Sequence, residues 1–105
     1  MVNGESRNWI RLLIGIKNFY AAFGVWPARV YVYPFFVKEL RQKMKPGEFE
    51  RLNAKIELIP EPDATFRFED HEGHFYDYGR EGVVEKFPKP DVLAWLNVSR
   101  PDYYD

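Results

Sequence analysis

The sequence contains no cysteine. That removes disulfides, thiolate metal ligands and cysteine nucleophiles together, and it suits a reducing compartment, so a cytoplasmic protein is expected. Hydroxyl side chains other than tyrosine are nearly as scarce, being confined to Ser6, Thr65 and Ser99. Ser6 suits a helix N-cap, Thr65 a strand start and Ser99 a fraying end, which leaves none for the centre of a nucleophilic pocket. Glycine-rich phosphate loops are missing as well, because Gly79-Arg80-Glu81-Gly82 fits neither a P-loop nor a dinucleotide fingerprint. Long apolar runs are also lacking. Leu12–Ile16 is flanked by Arg11 and Lys17, and Met1–Glu5 carries no basic side chain, so the chain reads as having neither a signal peptide nor a membrane span.

What is present points to one folded unit. A chain of 105 residues with 46% hydrophobic and 30% charged side chains fits a single domain, 1–105, with its own core. Aromatic residues make up 18% of it, and large rings bury much area each, so a few layers of them can close a small sheet. Charge is uneven. Residues 1–45 hold eight Lys/Arg against two acidic residues, and residues 46–105 hold seven against fourteen. One half is therefore at +6 and the other at −7, and the plainer reading is that the halves pack together and complement each other.

A helix is expected over about Ser6–Phe23, ending at Gly24. Trp9, Leu12, Leu13, Ile16, Phe19, Tyr20 and Phe23 share its broad apolar face. Gly15, inside that helix, costs about 1 kcal/mol relative to alanine, which makes close packing there an expectation. Arg29–Tyr33 reads as a strand and Pro34 to about Lys45 as a second helix, with Val37, Leu40 and Met44 inward and Glu39 and Lys43 paired on its outer side. Pro46-Gly47 ends it. One further helical turn at Phe49 and Leu52 precedes a strand at Lys55–Ile59, and a short helix at about Asp91–Val98 closes the chain.

The clearest local signal is a hairpin of Thr65–Glu69 with His74–Tyr78. Asp70-His71-Glu72-Gly73 has the chemistry of a type I turn followed by a left-handed glycine. Placing Asp70 opposite His74 pairs Phe68 with Tyr76 and Phe66 with Tyr78 on one face, and Arg67 with Asp77 on the other. The fold class that follows is α+β: an N-terminal helix, then a small, mainly antiparallel sheet of about four strands ending in a meander, with helices on one face.

Candidate sites are few. His71, His74 and Asp77 form a weak polar cluster at the hairpin, but the two histidines diverge and no third ligand is fixed by spacing, so no metal is expected there. Glu69, Asp70, Glu72 and Asp77 lie near one another, yet acid–base catalysis would need one of them desolvated and raised in pKa. Lys38, Arg41, Lys43 and Lys45 are the candidate nucleic-acid contacts, scattered around their helix and interrupted by Glu39. Tyr31 and Tyr33 point outward if Val30 and Val32 face the core. Ile10, Ile14 and Ala21 form a second apolar strip on the first helix, a candidate homodimer interface. The expected function is a small non-enzymatic interaction or regulatory protein acting through protein–protein contacts, with no cofactor and no membrane. The alternative is a nucleic-acid-binding or ribonuclease-like accessory protein using the basic first half.

Overall fold

The computed structural model describes residues 4–64, 66–80, 84–98 and 101. Thr65, Ser99 and the tail at 102–105 lie outside the described residues. The elements run α1 (Gly4–Phe23), β1 (Arg29–Val32), α2 (Pro34–Lys43), α3 (Glu48–Lys55), β2 (Glu57–Pro60), β3 (Arg67–Glu69), β4 (Phe75–Asp77) and α4 (Val92–Leu96). Helix α1 begins before Ser6, so Ser6 lies within its span. Gly24 ends α1 with φ +73, a backbone open to glycine without penalty, and its N–H reaches the carbonyl of Tyr20. Helix α3 is longer than one turn, and α4 starts at an N-cap, Asp91, whose side chain accepts the N–H of Ala94.

The four strands form one sheet in the order β2-β1-β3-β4. The hairpin has the expected register, Arg67 opposite Asp77 and Phe68 opposite Tyr76, with Asp70 N–H donating to the His74 carbonyl and Tyr78 N–H to that of Phe66. Strands β1 and β3 are antiparallel, whereas β1 and β2 are parallel. The parallel pair departs from an all-antiparallel meander, and its cause is the α2–α3 crossover. That segment carries the chain back along the layer, so β2 starts at the same end as β1.

Of the helices among the described residues, α1, α2 and α3 pack on one face of the sheet, and α4 packs on α1 and α3. Leu58, Val30, Phe68 and Tyr76 form a buried row across the strands, joined by Val32 and Phe66. Against it pack Trp9, Leu12, Ile16 and Phe19 of α1, Phe36 and Leu40 of α2, Phe49 and Leu52 of α3, and Val92 and Leu96 of α4. Each such burial stabilises by roughly 1.5–3 kcal/mol. The Trp26 and Trp95 rings stack in parallel with centroids 4.2 Å apart, fastening α4 to the loop after α1. On α2 the buried stripe takes in position 39, between Phe36 and Leu40, so Glu39 is buried rather than exposed beside Lys43.

Candidate binding surface

No helix among the described residues lies on the other face of the sheet. Period-2 alternation sends Arg29, Tyr31, Glu57, Ile59, Arg67, Glu69, Phe75 and Asp77 there, and none of them is buried. The register arranges them in two rows, Glu57-Arg29-Glu69-Phe75 and Ile59-Tyr31-Arg67-Asp77. Glu69 is the hub. Its Oε1 accepts from Arg29 Nε at 2.8 Å and from the Tyr31 hydroxyl at 3.2 Å, and its Oε2 accepts from Arg67 Nε at 2.9 Å. Partial desolvation pushes its carboxyl up, but the bonds from Arg29, Arg67 and Tyr31 together outweigh that and leave its pKa below the ordinary value. The same contact with Glu69 raises Arg29. Arg67 also reaches Asp77 at 4.0 Å, and its guanidinium lies 4.2 Å from the centroid of Phe75, with that of Arg80 at 5.3 Å.

A groove of about 370 Å³ opens on this face, lined by Tyr31, Glu61, Asp63, Ala64, Arg67, Glu69 and Asp77. Four carboxylates face one guanidinium, so the groove is negative. Glu61 and Asp63, from the loop after β2, make no ion pair among the described residues. The β2 edge beside it is closed to strand addition. Its outward positions are Leu58, whose N–H is taken by Asn53 Oδ1 at 2.8 Å, and Pro60, which has no N–H.

The sequence-predicted residues are spread over the molecule. His74 points with Tyr76 to the covered face, stacks on Phe23 with centroids 4.6 Å apart, and places Nδ1 2.7 Å from Asp70 Oδ2. His71 is exposed at the turn, and Asp77 is on the opposite side of the sheet, so the three do not converge. Among the described residues no group of three or more His, Cys, Asp or Glu is placed to hold a metal ion. Asp70 is buried at 5% exposure, not solvated with the rest of the turn, and its Oδ1 accepts the N–H groups of Glu72 and His74. Its desolvation is overcome by the His74 contact and those two N–H bonds, so its pKa also lies below the ordinary value. Glu69 and Asp70 are thus both shifted away from what a general acid needs.

Lys38, Arg41 and Lys45 are exposed and Lys43 half-buried; Arg41 lies over the Phe49 ring at 4.3 Å. Within residues 1–45, Arg29 is the one cation ion-paired with a carboxylate among the described residues, and that carboxylate, Glu69, belongs to the acidic half. The apolar strip on α1 is divided. Ile10 is exposed and Ile14 half-buried, but Ala21 is fully buried, and its carbonyl accepts the N–H groups of Lys86 and Phe87, which pass beside it. Ala21 is therefore core and cannot meet a partner. The uncovered face is signalled in the sequence only by the outward, mainly polar phase of the alternation at 29/31, 67/69 and 75/77.

Fold and surface together define an α+β domain with one helix-covered and one polar, uncovered sheet face. No family model, curated protein or solved structure matches the chain. No helix among the described residues is long and apolar enough to cross a membrane.

Proposed function

We propose that the protein is a non-enzymatic interaction protein whose uncovered sheet face receives a basic surface of a protein partner, with a second copy of the chain as that partner. The observation that carries this reading is the negative groove on a face whose side chains are already held by Arg29, Tyr31, Arg67 and Glu69. Groups fixed before binding lose little freedom on contact. A second copy brings the complementary charge on α2, where Lys38, Arg41 and Lys45 are exposed and free of ion pairs among the described residues.

Sedimentation equilibrium at low and high salt tests it. The expected result is head-to-tail self-association that weakens with salt and is lost in the Glu61→Gln/Asp63→Asn double variant. A chain that stays monomeric, yet whose groove selects Arg- or Lys-bearing peptides from a library, assigns the partner to a different protein. A chain that does neither contradicts the reading.

A further inference from the structure

A second concavity, independent of the sheet-face groove, has the opposite chemistry. It measures about 280 Å³ and is lined by Arg11 of α1, Tyr33 between β1 and α2, Phe66 before β3 and Tyr78 after β4. No carboxylate of a described residue lines it. Arg11 donates one bond, NH1 to Asn8 Oδ1 at 2.9 Å, and makes no ion pair among the described residues. A guanidinium carries five N–H donors and a permanent charge, so Arg11 keeps donors for an anion. The hydroxyls of Tyr33 and Tyr78 bond to no described residue either, and Tyr33 is 41% exposed. Two tyrosine hydroxyls with no partner among the described residues, a guanidinium bonded only to Asn8 and several aromatic surfaces therefore share one cleft.

The backbone of the cleft is unusual at one point. Phe66 has φ +61, a region that a bulky L-residue enters only at a cost, and such strain is held where the surroundings fix it. Here the fixing contacts are the Phe36 ring, stacked at 5.4 Å, and the Tyr78 N–H, which bonds the Phe66 carbonyl. The strained residue thereby holds Tyr78 beside Arg11 and Tyr33. At the same end α2 begins at Tyr33 without a side-chain cap and without an acidic residue in its first turn, so its field adds to that of Arg11.

We infer that this cleft binds a nucleoside phosphate, the base against Tyr33 and Tyr78 and the phosphate on Arg11. The volume, about 280 Å³, falls just below the roughly 300–1,000 Å³ of ligand pockets and suits one nucleotide unit rather than two. That unit occurs free and as a residue of a single strand, where stacking on aromatics with a cation on the backbone is the usual mode of binding.

The test is an amide-resolved NMR titration with AMP, adenosine, inorganic phosphate and a short single-stranded oligoadenylate. AMP is expected to shift Arg11, Tyr33, Phe66 and Tyr78, and to bind at least about tenfold more tightly than adenosine or phosphate alone. Arg11→Gln and Tyr33→Ala should each weaken AMP by a similar factor; Tyr33, being exposed, can be truncated even where Arg11→Gln fails to fold. An oligoadenylate that binds more tightly than AMP, with a salt slope lowered by about 0.7 in Arg11→Gln, identifies single-stranded nucleic acid as the source. An oligoadenylate no tighter than AMP identifies free nucleotide. Phosphate binding as tightly as AMP, shifts centred on Lys38–Lys45, an unaffected Tyr33→Ala variant, or no shifts at all would each overturn the inference.

Discussion

The ring of Phe68 on β3 lies against the backbone of Gly15 on α1, so closely that a β-carbon added at Gly15 would overlap its Cε1 and Cζ atoms. This contact sets the distance between helix and sheet. It also explains why α1 carries a glycine where alanine would favour the helix by about 1 kcal/mol. Gly15→Ala is therefore expected to destabilise the fold, by about 1–3 kcal/mol through overpacking. Denaturant unfolding checks this, and Phe68→Leu in the same chain should recover part of the loss. A more stable Gly15→Ala variant would mean that the helix stands further from the sheet.

The hairpin was legible because two local signals agreed. The turn at Asp70–Gly73 and the alternation on both arms give the same pairing, and Gly73 does adopt φ +93. Strand β2 was legible as a strand but not as a parallel neighbour of β1, since nothing in Glu57–Pro60 encodes which strand it joins. The outward phase of Tyr31 followed from Val30 and Val32. The uncovered face as a whole depends on where the helices pack, which is a tertiary fact. The inward turn of Glu39 and the burial of Asp70 were illegible for a related reason. Both are charged residues carried inside by apolar neighbours, Phe36 and Leu40 in one case and the Phe23–His74 stack in the other.

Asp70 anchors the turn from within. Asp70→Asn should cost about 1–3 kcal/mol, because the Glu72 and His74 N–H groups and His74 Nδ1 lose a charged acceptor in a buried place. Equilibrium unfolding in urea measures it. A loss under about 0.5 kcal/mol, the range of neutral surface changes, would show that Asp70 carries no such load.

Acid should act through the same two carboxylates. Glu69 and Asp70 have lower pKa values folded than unfolded, so the unfolded chain binds protons first as pH falls. The stability they contribute is complete above the unfolded carboxylate range, about pH 4, and is lost below it as pH drops through the folded values. Unfolding free energy measured from neutral pH to acid should fall steeply below about pH 4, and less steeply in Glu69→Gln and Asp70→Asn. Parallel acid limbs for all three proteins would contradict the assignment.

The two ends of the apolar strip on α1 should behave oppositely. Ile10→Glu, at an exposed position, is expected to change stability by no more than about 0.5 kcal/mol. Ala21→Leu forces volume under the chain at 86–87 and should cost about 1–3 kcal/mol. Thermal melts of the pair decide it, and a tolerated Ala21→Leu would return that residue to the surface.

The central claim is that the uncovered face, not α1, is where the protein meets its partner. Amide chemical shifts recorded from dilute to concentrated protein at low salt test this most directly. The account predicts shifts confined to Tyr31, Glu61, Asp63, Ala64, Arg67 and Asp77 on one side of the contact and to Lys38, Arg41 and Lys45 on the other, all reversed by added salt. Shifts centred on Ile10 and Ile14, or unchanged by salt, would contradict it.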